Sequence, residues 1–254
     1  NDLIISFLNY WTIKNRLPAE TIIVNLRIYD QDGSLHTRSL IDKLEVNNIL
    51  SVREYVNEDV FFGMIEIEVV SSNNLAFTFP AITGIYKSNS LYSCVHSAGR
   101  IKGPEEQQTP SVSVETNWSC KFKVGIKPFF HYVNGNTVSD AELRVNLYSG
   151  DGEEIGHRVI KESFHPFASK MYFVDEIFGS QSFESLTFVG VSCMNDSVFR
   201  RMVVGNFHEA SNHLEVTHSF PLQGRKDLCP KVDSKSSPES FLACYNDEQL
   251  DLGV

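Results

Sequence analysis

The chain has no apolar run near the about 20 residues that a membrane-crossing helix needs, so no such span is expected. It has no surplus of positive charge either: 22 Lys and Arg stand against 32 Asp and Glu, for a formal net charge of −10. A nucleic-acid binder needs a basic face to displace the counterions around phosphates, so nucleic acid is excluded as a partner. An anionic membrane surface is disfavoured on the same electrostatic ground. Cysteine is sparse and scattered, at positions 94, 120, 193, 229 and 244, with no CxxC or zinc-like spacing. Cys94 and Cys193 lie in apolar stretches and read as small buried hydrophobes. Cys229 and Cys244 flank a polar segment and would bridge only in an oxidising compartment. No secretory signal is visible, which favours the cytoplasm slightly over export. The usual catalytic signatures are missing as well: there is no Gly-rich phosphate loop, no GxSxG and no HExxH.

What is present is β-sequence. Apolar residues make up 42% and charged residues 21% of 254 positions, a balance suited to one large or two ordinary globular domains. The most informative stretch runs from Arg201 to Phe220, an apolar strand reaching Gly205 and Phe207, a polar turn, and a second strand ending in His218-Ser219. A weaker copy runs from Phe79 to Ala98, with Gly84 and Tyr86 ahead of the turn and His96-Ser97 at the end. The two histidines stand 218 − 96 = 122 positions apart. Other landmarks repeat in the same order, Val24-Asn25-Leu26 with Val145-Asn146-Leu147, and the turn dipeptide Asp32-Gly33 with Asp151-Gly152. Between them, stretches such as TIIVNLRIY (21–29) alternate β-branched with polar residues at the period of a strand.

These observations predict an all-β protein of two similar antiparallel β-sandwich, jelly-roll-like units from an internal duplication, packed side by side. The expected bounds are 1–100 for the first unit, 101–116 for a Gly-, Pro- and Glu-containing linker, 117–222 for the second unit and 223–254 for a polar extension.

Alternation places Leu214, Val216 and His218 on one face of their strand, and Tyr92, Cys94 and His96 on one face of theirs, so both histidines are expected on the core-facing side. The ordinary reading of each is a neutral imidazole bonded to neighbouring backbone, which duplicated units would both retain. The sharper reading has the units meet about a pseudo-twofold and bring His96 and His218 into one ligand site. On the opposite face of the second hairpin, His208, His213 and Glu215 come within reach of a shared divalent metal if 209–212 form the loop, since directly opposed Cβ atoms stand about 4.5–5.5 Å apart. A solvated strand face accounts for the same residues, and no cofactor is otherwise expected. Asp30-Gln31-Asp32-Gly33 resembles the opening of a calcium loop but lacks the closing glutamate, so it reads as a plain turn. The Glu66/Glu68 stripe should face water.

Tyr10, Trp11, Trp118 and Tyr132 lie near the expected unit edges and are the rings on which a sugar could stack, although core packing is the commoner role. With no catalytic motif in view, the expected function is a non-enzymatic binding or interaction protein. Its ligand would be a small molecule, a glycan or another protein, held in the inter-unit groove or at exposed aromatic edges. The alternative is a metal-dependent enzyme with its site on the second unit or between the units.

Overall fold

The computed structural model describes residues 2–14, 16, 18, 22–56, 61–72, 82–97, 111–120, 122–149, 153–179, 187–195, 202–218 and 220–221. The polar extension, and with it Cys229 and Cys244, lies outside the described residues.

The protein is mostly antiparallel β-strand. The first half runs β1 (Asp2–Leu8), α1 (Tyr10–Ile13), β2 (Ile22–Asp30), β3 (Leu35–Ile41), β4 (Asn47–Ser51), β5 (Gly63–Ser71), β6 (Ile82–Ser88) and β7 (Leu91–Ser97). The second half runs β8 (Ser111–Cys120), β9 (Ile126–Val133), β10 (Ser139–Tyr148), β11 (Glu154–Phe164), β12 (Ser169–Phe173), α2 (Val174–Phe178), β13 (Thr187–Asn195), β14 (Val203–His208), β15 (His213–His218) and β16 (Phe220–Pro221). Strand identity follows from alternation. In β2, Ile22, Val24, Leu26 and Ile28 are all buried, and their branched side chains suit a pleated surface.

In the first half, the sheet β4-β1-β6-β7 packs on the sheet β3-β2-β5; in the second, β12-β9-β14-β15 packs on β11-β10-β13-β8-β16. Ile5 and Phe7 of β1 meet Val24, Leu26 and Ile28 of β2 in one core. Phe130 and Tyr132 of β9 meet Leu143, Val145 and Leu147 of β10 in the other. Substituting β9 for β1, β10 for β2 and so on to β15 for β7 turns the first pair of strand orders into the second, with β8 and β16 added.

Two expectations need correction. Residues 111–116, read as linker, belong to β8, which lies along β13 from Asn195 to Thr187; the Val-Ser-Val-Glu-Thr alternation in 112–116 is a strand pattern that Gly103, Pro104 and Pro110 just upstream obscure. And Gly84 and Gly205 do not correspond. Gly84 sits in register with core residue Ile5, whereas Gly205 sits beside Phe129, on the other face of its strand from core residue Val204.

The halves also touch away from the hairpins. The turn after β2 presses on the second half: Gln31 O accepts from Ser169 N at 2.9 Å, and Tyr29 stacks on Phe167 at 4.6 Å between centroids. Gly33, at φ +91°, is obligatory there, because a Cβ would come within 2.1 Å of Pro166 O. Asp32 Oδ1 accepts from Ser34 N at 2.9 Å, an Asx turn.

Candidate functional site

The hairpin β14–β15 carries most of the candidate residues. A short 3-10 turn, Glu209–Ser211, and Asn212 in the left-handed conformation reverse the chain, so His208 pairs with His213, Asn206 with Glu215 and Val203 with His218. Residues directly opposed share a face. One face therefore carries Val204, Asn206, His208, His213, Glu215 and Thr217, on the core side with Phe130. The other carries Val203, Gly205, Phe207, Leu214, Val216 and His218, beside Phe129 and His131.

His218 thus points away from the core of its own half, against expectation, and so does His96, which is in register with Thr83 and Ser6 rather than with Gly84 and Ile5. The expectation fails because these strands carry apolar residues on both faces: Phe129, Val203 and Val216 make the outer side look like an inner one. Cys94 shares the outer face with His96 and is exposed and free rather than buried; Cys193 is on β13, in a stretch whose side chains lie outside the described residues.

The two outward faces meet where edge strands β7 and β15 run side by side in the same direction. Ser88 Oγ donates to Asn212 O at 2.7 Å, and Val216 N donates to Ser93 Oγ at 2.8 Å. His96 Nε2 and His218 Nε2 stand 2.9 Å apart, with ring centroids at 4.4 Å and planes inclined at 79°. Every one of these contacts joins a residue to one 122 to 124 positions further along. His218 is buried at 8% exposure, while His96 is exposed.

Set against protein-family models, curated proteins and solved structures, the chain matches none of them. The reading of the site rests on its geometry.

On the core side, Glu215 Oε2 accepts from His208 Nε2 at 3.2 Å and lies 3.4 Å from Asn206 Nδ2. The His213 ring is 6.2 Å from that of His208, and its buried Nδ1 has no hydrogen-bond partner. Among the described residues, no three His, Cys, Asp or Glu side chains are grouped to hold a metal ion, these three included.

Two of the aromatic candidates are interior. Trp11, 5% exposed, is buried on α1, where Asn9 Oδ1 caps the helix by accepting from Thr12 N at 3.2 Å. Tyr132, 1% exposed, packs on Phe164 at 4.7 Å in the second core. Neither offers a face to a sugar. Tyr10 is half-buried, and Trp118 lies on β8 among residues whose side chains lie outside the described set. The Glu66/Glu68 stripe does not simply face water: Arg27 bridges it, Nη1 to Glu66 at 2.6 Å and Nη2 to Glu68 at 2.7 Å.

His131 was not a candidate, yet strand parity could have found it, since it alternates with the core residues Phe130 and Tyr132. It lies in the row of Val203 and His218. Its buried Nε2 has no hydrogen-bond partner, and burial pulls its pKa down to about 4.

Proposed function

We propose that the chain is a non-enzymatic binding or interaction module made of two similar antiparallel β-sandwich, jelly-roll-like units that arose by duplication and pack side by side. The match of strand orders, element for element, supports the duplication. What carries the binding reading is the outer face of β4-β1-β6-β7. There Ile49 is 65% and Tyr92 60% exposed, with exposed Cys94 and half-buried Ile4 and Ile85 between them, and the face runs into the His96–His218 junction. An exposed apolar face rimmed by polar residues is characteristic of interaction sites. Its ligand is another protein: the face is largely aliphatic, and of the rings that could stack on sugars Trp11 and Tyr132 are spent on packing.

The test is site-directed photo-crosslinking in the native cell extract, with benzoylphenylalanine replacing Tyr92 and, as a control, Val159 on the edge strand β11. A discrete protein adduct at position 92 and none at 159 supports the reading. A glycan-array signal without any adduct moves the ligand to a sugar, and neither result leaves the reading without a ligand and overturns it.

The alternative, a metal-dependent enzyme on the second unit, draws on the His208–Glu215 contact and the orphan Nδ1 of His213. It requires a metal that survives tag-free purification of a His96→Gln variant; elemental analysis finding none removes it.

A further inference from the structure

We propose that His96 and His218 form a two-histidine site for a borderline divalent transition-metal ion, of the class of Zn²⁺ or Ni²⁺, that bridges the two halves of the chain. The inference goes beyond the interaction face and stands on the junction alone. Neutral imidazole nitrogen is a preferred ligand of such ions, bound at about 2.0–2.1 Å. Two nitrogens on one ion, at right-angled to tetrahedral separation, stand roughly 2.9–3.4 Å from each other. The two Nε2 atoms are 2.9 Å apart. A hydrogen bond alone also fits that separation, but the rings add a second constraint. Their centroids are 4.4 Å apart, closer than two imidazoles joined nitrogen to nitrogen in a straight line would stand. The nitrogens therefore meet at a bend, the arrangement that two imidazoles take around a common third atom.

The surroundings suit an ion. Both histidines are on strands rather than loops, and the two edges are fastened ahead of the pair, at Ser93 within β7 and at Ser88 by the turn before it, so the ligands are held before the ion arrives. His96 is exposed, which opens the pair to solvent, while His218 is buried and fixed. A net charge of −10 draws cations towards the protein. With two protein ligands and water completing the shell, affinity belongs in the micromolar rather than the nanomolar range.

Protein purified without an affinity tag and stripped with chelator is titrated with ZnCl₂ and with NiCl₂, following heat and melting temperature. The expected result is one equivalent bound with a rise in melting temperature, and at least a tenfold loss of affinity in both His96→Gln and His218→Gln, but not in His208→Gln. Because His218 is buried, the exposed His96→Gln decides the matter if the other variant fails to fold; glutamine there can still hydrogen-bond His218 but ligates metal poorly. Absence of binding up to about 1 mM of either ion, or binding that His96→Gln leaves unchanged, overturns the proposal. Failure here leaves crosslinking through position 92 unaffected, so the two readings fall separately.

Discussion

In the first half, Ile65, Ile67 and Val69 of β5 pack on the core yet stay only partly buried; in the second, Val189 and Val191 of β13, in the places of Ile67 and Val69, are 1% exposed. The strand order around them is the same, so connectivity is not the cause. The difference is β8, which lies along β13, whereas among the described residues no strand lies along the corresponding edge of β5. The outer faces differ in the same sense: Phe129 is buried, whereas Ile49 and Tyr92 are not. One strand order thus comes with two degrees of closure, a half whose core is sealed and a half whose core and outer face stay more open.

The contrast breaks most directly in the cores. Phe130→Ala, at a fully buried position, is expected to cost about 3–5 kcal/mol through lost burial and the cavity left behind. Ile67→Ala, beside the open edge, should fall at the bottom of the usual range for such changes, about 2 kcal/mol, since water already reaches part of the site. Urea titration of both variants checks the pair. Equal losses would mean that the two cores are equally closed.

Acid should single out the closed half. His131 occupies the place that Ser6 holds in the first half, each next to a core aromatic or aliphatic on the first strand of its sheet. Burial keeps His131 unprotonated in the folded state down to about pH 4. The unfolded chain takes the proton near 6.5, so it binds more protons than the folded state between the two values, and stability rises with pH there. As pH falls from about 6.5 to about 4, His131 should therefore cost about 3 kcal/mol, with no further change from this group below that. His131→Ser, which makes the second half resemble the first, should flatten this slope in urea titrations across the same range. A slope that survives the substitution assigns the acid sensitivity to another group.

Most strands of both halves could be read in the sequence because period-two alternation and Asp-Gly turns are local signals, whereas the five-residue edge strands β4 and β12 are too short to show the period. Which face is inner could not: strands such as β14 and β15 are apolar on both sides, and only the register with β9 shows that Phe130, not Phe129, joins the core. β8 was hidden for a different reason, since 111–116 follow a Gly- and Pro-bearing run that reads as linker, and what makes them a strand is pairing with β13, far along the chain. At the site, the hairpin register of His208 and His213 followed from the turn. The meeting of His96 with His218 depends on how two edges abut, a long-range fact with no local signature, as does the burial of Trp11 and Tyr132.

The smallest effect tests how the unequal halves are joined. Ser93 of the open half lends its hydroxyl to Val216 N of the closed half, at a strand edge where sheet pairing supplies no partner for that amide. The place of Ser93 in the second half is filled by Glu215, which is turned instead towards His208, so the fastening runs one way only. Ser93→Ala should therefore cost about 1 kcal/mol, the net worth of an ordinary hydrogen bond. Where Val216 exchanges through local separation of the two edges, its amide should exchange about fivefold faster. Cys94→Ser, one residue along and facing out, should leave that amide unchanged. Were Val216 to exchange at the same rate in both variants, the Ser93 contact would not be what holds the edges, leaving that to the Ser88 contact at the turns and the histidines at the far end.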